Sequence, residues 1–215
     1  MIHDSLGEVR VKRAIFLDRD GVINPYVCHP EFGTIDSPAT PDEFVLSDVV
    51  REALEALHGL GFLLIVISNQ PGIAKGRFTP ALLDATTQKM KNECSGLLDA
   101  VYYCLHHPQA VLPEYRQQCE CRKPKPGLLF QAAREWDVDL ANSYMIGDGV
   151  VDVAAGKAAG VTSIFIGNRK CYLCTEFKEQ DAVPDFIAED LKTAAGIIVA
   201  AAENKPIARE YAPCD

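Results

Sequence analysis

A short apolar run that ends in two acidic residues limits the folds open to this chain. Residues 14–17 read Ala-Ile-Phe-Leu, and Asp18, Asp20 and Gly21 follow closely. A run this short and this apolar is typical of a strand that is buried on both faces. Side chains alternate along a strand, so Asp18 and Asp20 point the same way if the extended geometry continues. The carboxyl ends of strands in open α/β sheets are where ligands bind.

Two neighbouring carboxylates repel each other unless something compensates their charge. A divalent cation between them would do so, and so would the uptake of a proton by one acid during a reaction. The alternative is a helix cap followed by a turn, since Asp20-Gly21 is a favourable turn pair. The rest of the sequence argues against that alternative.

Length and composition predict a globular protein with one substantial core. The chain has 215 residues, of which 48% are hydrophobic and 24% charged. Its formal net charge of -9 argues against nonspecific nucleic-acid binding.

No apolar run is long enough for a membrane span, and residues 1–13 lack a signal-peptide pattern. We therefore expect a cytoplasmic protein without membrane or nucleic-acid partners, and a monomer rather than an oligomer. In that setting the eight cysteines favour metal ligands or free thiols.

Strand-like and helix-like segments alternate along the chain. This alternation predicts an α/β fold, a Rossmann-like three-layer sandwich with a mainly parallel central sheet and right-handed crossovers. We expect a single domain over residues 1–215, with its catalytic core at 14–203. The predicted strands are 14–17, 62–67, 100–103, 143–146, 161–166 and 185–188. Ser47 or Asp48 is expected to cap a first helix that ends at about Gly59, and further helices are predicted over 80–94, 127–136, 151–159 and 191–203.

Polar residues follow several of these strands. Ser68 and Asn69 follow the second, and Asp148 follows the fourth, with Asp152 one helical turn later on the same side. In a parallel sheet all these ends lie at one edge, together with the first acid pair. A hydroxyl and a glycine-containing turn suit phosphate oxygens, and carboxylates suit Mg²⁺. The alternatives are a turn cap for Ser68 and a favourable first-turn acid for Asp152.

Four segments in this order resemble the haloacid dehalogenase-like (HAD) phosphatase superfamily. They read D-R-D-G-V-I-N, I-S-N-Q-P-G, C-R-K-P-K-P-G and I-G-D-G-V-V-D, and the resemblance covers residues 14–166. Each segment is weak to moderate alone, but four in order are highly specific.

The resemblance implies a phosphatase that forms an aspartyl-phosphate. Asp18 would be the nucleophile. Asp20 would be the acid that protonates the leaving oxygen and then the base that activates water. Ser68 and Lys123 would hold the transferring phosphoryl group, which agrees with the needs of phosphoryl transfer. Lys125 is the alternative to Lys123. We prefer Lys123 because one branch of the superfamily also carries a zinc site, and in that branch the basic residue directly follows Cys-Arg.

The resemblance also implies a catalytic Mg²⁺. Its ligands would be Asp18, the backbone carbonyl of Asp20, and Asp148, with Asp152 in support. Mg²⁺ prefers such hard oxygen ligands and keeps several waters.

A second cluster has the spacing C-x-H-x12-C-x-C, formed by Cys104, His106, Cys119 and Cys121. Three thiolates and one imidazole make a closed tetrahedral Zn²⁺ site with no position for water. Such a zinc is structural and fastens a loop, here residues 104–123, that lacks its own core. The alternative to a zinc site is that these four buried residues are unrelated. His107 could be the ligand in place of His106, but the resemblance favours His106.

This zinc-stapled loop narrows the resemblance to heptose 1,7-bisphosphate phosphatases and histidinol phosphatases, small proteins without a large cap domain. It implies a small phosphorylated partner, with a sugar bisphosphate favoured and histidinol phosphate as the alternative. Arg122 would bind the distal phosphate, because a guanidinium fork suits its oxygens. Asn69 and Gln70 would contact sugar hydroxyls. A catalytically silent zinc-stapled binding module is the alternative from another class.

Two features depart from that branch, and a further cysteine pair has no assigned role. Residues 25–43 form a longer, proline-punctuated segment without periodicity, which predicts an irregular loop beside the site. Gly149 stands where a basic residue is often found. Cys171 and Cys174 resemble half of a zinc or redox site, and Cys28 and Cys214 are the residues that might complete it.

Overall fold

A parallel sheet forms the middle of the molecule. The computed structural model describes residues 11–31, 33–167 and 171–205, apart from the side chains of residues 171 and 172. Within them, six strands pair in parallel in the order β5-β4-β1-β6-β7-β8, and β2 and β3 form a separate hairpin. The strands are β1 (Ala14–Leu17), β2 (Val27–His29), β3 (Thr34–Asp36), β4 (Leu63–Asn69), β5 (Ala100–Cys104), β6 (Tyr144–Gly147), β7 (Thr162–Ile166) and β8 (Phe186–Ala188).

Helices cover both faces of the sheet. They are α1 (Asp48–Gly59), α2 (Pro80–Glu93), α3 (Gly127–Trp136), α4 (Val150–Ala159), α5 (Cys171–Glu179) and α6 (Leu191–Ala202). Short 3-10 turns lie at Pro41–Glu43, Pro113–Tyr115 and Leu140–Asn142. None of the helices in the described ranges is long and apolar enough to cross a membrane.

The central strand β1 explains the three layers. All four of its residues are fully buried. Ile15 and Leu17 pack in one core cluster with residues of α1 and α6, while Ala14 and Phe16 pack in another with residues of α3 and α4. Alternating side chains therefore anchor a helical layer on each face, which confirms the predicted three-layer α/β fold.

The six predicted strands and five predicted helices are all present, and their ends agree with the prediction to within two residues. Ser47, the better of the two suggested caps, accepts a hydrogen bond from the amide of Val50 at the start of α1. The largest shift is at β4, which runs on to Asn69 because Ser68 and Asn69 pair with Tyr103 and Cys104 of β5. Ser68 and Asn69 are thus the last two residues of the strand, whereas the predicted strand ended at 67.

The prediction of an irregular segment over residues 25–43 was wrong in part. It contains the β2–β3 hairpin, in which Cys28 pairs with Ile35. The His29 ring lies 3.0 Å from the carbonyl oxygen of Ser37, so contacts beyond the strands help to hold it. Strands of three residues are too short for alternation to be recognised in sequence. Helix α5 was also missed.

Candidate active site

Polar side chains meet in a cavity of about 190 Å³ at the carboxyl edge of the sheet. Asp18 follows β1, Ser68 lies near the end of β4, and Asp148 follows β6. Lys123 comes from the segment between β5 and α3, so the site combines sheet and loop residues. The lining residues include Asp18, Asp20, Tyr26, Asp36, Ser37, Ser68, Asn69, Arg122, Lys123, Asp148 and Asp152.

Three carboxylates form the centre of this site. Oxygens of Asp18, Asp148 and Asp152 all lie within 4.8 Å of one another. Burial raises the pKa of Asp148 to about 7, with the charges of Asp18 and Asp152 adding to the effect. Burial also raises the pKa of Asp152, against the opposing charge of Lys123. So much negative charge in a buried place fits a hard divalent cation, which would stabilise the ionised forms.

Lys123 is a buried cation that contacts two of these three carboxylates. Its ammonium nitrogen lies 3.0 Å from Asp18 Oδ1 and 2.5 Å from Asp152 Oδ1, and donates to the carbonyl of Ile67 at 2.8 Å. Burial lowers the pKa of Lys123, but the two carboxylates outweigh it and raise the pKa above its ordinary value. The rival Lys125 lies at the surface, where it pairs with Glu120. Of the two lysines, Lys123 is therefore the one beside Asp18.

Asp20 is held apart from the three carboxylates by its own set of donors. Its Oδ1 accepts hydrogen bonds from Arg19 Nε at 3.1 Å and Asn24 Nδ2 at 2.9 Å. Its Oδ2 accepts from Ser37 Oγ at 2.8 Å and Gln70 Nε2 at 2.7 Å. Only 4% of Asp20 is exposed, so these contacts fix the carboxyl group at the base of the cavity.

Gln70 and Asn69 are placed differently from the predicted sugar contacts. Gln70 is fully buried and outside the cavity lining, because it follows Ser68 on the same side of the extended chain and reaches Asp20. Asn69 lines the cavity, but its side-chain amide exchanges two hydrogen bonds, each of 3.1 Å, with the backbone of Lys123. Both residues thus support other site residues, and the predicted contact of Gln70 with a sugar hydroxyl does not fit its burial.

Tyr26 and Gly21 contact the Asp148 side of the site. The Tyr26 hydroxyl donates to Asp148 Oδ1 at 3.3 Å, and burial with nearby carboxylates raises its pKa. Gly21 has a φ of +82°, and a Cβ there would collide with the Asp148 carboxylate. This close approach explains why a glycine follows the acid pair.

Several supporting residues were not predicted from the sequence. Gly21 and Asn24 belong to the D-R-D-G-V-I-N segment, which gave a signal for them, whereas the burial of Arg19 depends on tertiary structure. Tyr26 and Ser37 had no signal, because each reaches the site through the tertiary placement of residues 25–43.

The second cluster brings together the four predicted zinc ligands. Atoms of Cys104, His106, Cys119 and Cys121 lie within 4.8 Å of one another, and the sulfur–sulfur distances are 3.3 to 3.5 Å. The three cysteines are free thiols. The ring of His107 accepts a hydrogen bond from the Gln109 amide instead, which leaves His106 as the imidazole of the cluster. This donor set fits a tetrahedral Zn²⁺.

The cysteine and histidine cluster also places Arg122 beside the active site. Arg122 directly follows Cys121, donates to the His106 carbonyl at 3.3 Å and lines the cavity with Lys123. At the other end of the loop, the Gly127 amide donates to the Glu120 carbonyl at 3.0 Å, which fastens the cluster to the start of α3.

Nothing in the described residues supports the suggested second metal. The two groups there that can hold a metal are the three carboxylates and the cysteine and histidine cluster. Cys174 is disulfide-bonded, and such a sulfur is not a thiolate ligand. Cys28 is exposed, whereas Cys214 and the Cys171 side chain lie outside the described residues.

Comparisons with known proteins point to a family of phosphatases. The profile of the HAD-hydrolase-like family matches residues 120–194. The D-glycero-beta-D-manno-heptose-1,7-bisphosphate 7-phosphatase of Escherichia coli strain K12 is 44% identical over 151 residues, 69% of this chain and 75% of that protein. The protein of the same name in Yersinia pestis is 37% identical over 182 residues, and the alignment covers 83% of this chain and 90% of that protein.

A solved structure shares the fold as well. The D,D-heptose 1,7-bisphosphate phosphatase of B. bronchiseptica, crystallised with magnesium and phosphate, superposes with a TM-score of 0.69 at 30% identity. The match covers 88% of this chain and 99% of that one. On the identity and coverage of these relatives, the chain belongs to the HAD-like hydrolases, in the family of the D-glycero-beta-D-manno-heptose-1,7-bisphosphate 7-phosphatases.

Proposed function

We propose that this protein is a Mg²⁺-dependent phosphomonoesterase that removes the 7-phosphate from D-glycero-D-manno-heptose 1,7-bisphosphate. The observation that carries the proposal is the buried contact of Lys123 with Asp18, beside Asp148 and Asp152. This arrangement supplies a nucleophile, a cation for the phosphoryl oxygens and hard ligands for a metal. The substrate is taken from the names of the relatives.

The first step forms a bond between an Asp18 oxygen and the phosphorus. Lys123 and the Ser68 hydroxyl stabilise the phosphoryl oxygens, since both lie at the edge of the same cavity. As the ester bond breaks, Asp20 gives its proton to the leaving sugar oxygen. In the second step a water molecule loses a proton to Asp20 and attacks the phosphorus, which releases phosphate and frees Asp18.

Asp18, Asp148 and the backbone carbonyl of Asp20 would hold Mg²⁺, which neutralises charge on the phosphoryl oxygens when bound. Asp152 is a supporting residue because both its oxygens have other partners. Its Oδ1 contacts Lys123, and its Oδ2 accepts from the Gly149 amide at 2.9 Å.

We expect a marked preference for the heptose bisphosphate over histidinol phosphate. Arg122 lines the cavity and offers a guanidinium to a second phosphate, which histidinol phosphate lacks. A charged hydrogen bond is worth about 1.5–3 kcal/mol, so kcat/KM should differ by roughly tenfold to a hundredfold. The measurement is kcat/KM for both compounds at equal Mg²⁺. A preference for histidinol phosphate would overturn the substrate, and no hydrolysis of any phosphomonoester would favour a binding module.

Zinc should be structural and still matter for activity. Purified protein is expected to hold about one zinc that excess Mg²⁺ does not displace, because soft thiolates disfavour a hard cation. Cys119→Ser should lower zinc content, thermal stability and substrate affinity together, since the loop then no longer fixes Arg122 and Lys123.

The matched control is Cys28→Ser, which removes an exposed thiol far from the cluster in sequence and should leave all three measurements unchanged. Zinc-free wild-type protein that keeps full activity in a strong zinc chelator with excess Mg²⁺ would contradict the structural role.

A further inference from the structure

The end of the β2–β3 hairpin lines the active site, and one side chain there contacts Asp20. Ser37 directly follows β3, is buried, and donates its hydroxyl to Asp20 Oδ2 at 2.8 Å. Of the donors that surround Asp20, Arg19 and Asn24 belong to the same short segment, and Gln70 follows β4. Ser37 is therefore the contact that joins the hairpin to this carboxyl group.

Ser37 is itself held from two sides. Its amide donates to Asp36 Oδ1 at 2.9 Å, and the other oxygen of Asp36 forms an ion pair with Arg77, from the loop between β4 and α2. Its carbonyl lies 3.0 Å from the His29 ring. A serine fixed in this way orients its hydroxyl without a further loss of backbone freedom.

The chemistry of the hydroxyl also differs from that of the other contacts. Arg19, Asn24 and Gln70 meet Asp20 through N–H groups, which can only donate. A serine hydroxyl donates to a carboxylate and, after rotation, accepts from a carboxylic acid. Ser37 can therefore keep its contact with Asp20 before and after a proton transfer.

We propose that Ser37 is a positioning residue for proton transfer by Asp20, and that the hairpin acts on catalysis through it. The inference rests on the proposed phosphatase reaction. In that reaction the Asp20 O–H bond breaks and its proton passes to the leaving oxygen while the ester bond breaks and the Asp18–phosphorus bond forms. The Ser37 hydroxyl then donates to the carboxylate that remains and holds it for the second step.

The test compares two leaving groups by kcat/KM, which covers steps only up to the release of the first product. The heptose 7-oxygen needs a proton to leave, whereas the nitrophenolate of p-nitrophenyl phosphate does not. Ser37→Ala should lower kcat/KM for the heptose bisphosphate about tenfold and change that for p-nitrophenyl phosphate by less than about twofold. Ser37→Thr keeps the hydroxyl and should therefore keep most of the wild-type kcat/KM for the heptose bisphosphate.

Two further variants make the outcomes distinct. Ile35→Ala alters the same hairpin at a side chain that is 73% exposed and should show no selective loss. Asp20→Asn should show the selective loss more strongly. If Asp20→Asn is selective but Ser37→Ala is not, or if Ile35→Ala matches Ser37→Ala, the inference about Ser37 fails and the proposed function stands. Equal losses for both leaving groups in Asp20→Asn would overturn the role of Asp20 and this inference together.

Discussion

Asp18→Asn is expected to lower turnover by at least about a thousandfold and to leave the fold intact. A neutral amide cannot attack phosphorus and is a poor ligand for Mg²⁺. The fold should survive because an asparagine oxygen can still accept the hydrogen bond that the Arg19 amide now gives to Asp18 Oδ1 at 2.7 Å. The measurements are kcat with saturating substrate and the thermal unfolding midpoint.

The control is Asp42→Asn, the same chemical change at an exposed residue of a short turn. It should keep wild-type kcat. Residual turnover above about a thousandth of wild type in Asp18→Asn would argue against covalent catalysis by this residue.

Lys123→Met should cost both stability and activity. It leaves the Asp152 carboxylate, only 1% exposed, without its cation, and removes the donor to the Ile67 carbonyl. Breaking a buried ion pair from one side costs about 3–5 kcal/mol of unfolding free energy. Activity should fall at least about a hundredfold, because the phosphoryl oxygens lose a fixed positive charge.

The destabilisation by Lys123→Met should also depend on pH in a defined direction. Burial raises the pKa of Asp152, so in the variant this acid takes up a proton as the pH falls, and the cost of its unpaired charge decreases. Urea unfolding without added metal at pH 5 and pH 8 should show the larger loss at pH 8. Lys125→Met, an exposed neighbour, is the control and should leave the midpoint unchanged at both values. Equal stability of Lys123→Met and wild type would contradict the central role of this ion pair.

The sheet and both clusters could be predicted because their signals are local. The apolar run of β1 needs only its own residues to be recognised, and the spacing of Cys104, His106, Cys119 and Cys121 describes a complete ligand set. The order of strands and helices then puts Asp18 and Asp148 at the same edge of the sheet.

The supporting contacts could not be predicted because they depend on tertiary structure. Arg19 lies between two acids in sequence, which suggests an exposed charge, yet it is fully buried with Asp20 and near the ring of Tyr103. Gln70 reaches Asp20 only because β4 continues along β5. Helix α5 packs through Phe177 against Phe165 of β7, a contact that its own sequence does not reveal.

The central position of β1 has a consequence for the synthesis of the protein. The Ala14 amide at the start of β1 donates to the Ser143 hydroxyl beside β6, and the two residues are 129 apart in the chain. At a synthesis rate of about 5–20 residues per second, the ribosome needs on the order of ten seconds to reach Ser143 after it has added Ala14. During that time one edge of a wholly apolar strand has no partner and can pair with other chains. Nascent chains are therefore most vulnerable to aggregation before β6 emerges, and a chaperone that covers β1 would act in that interval.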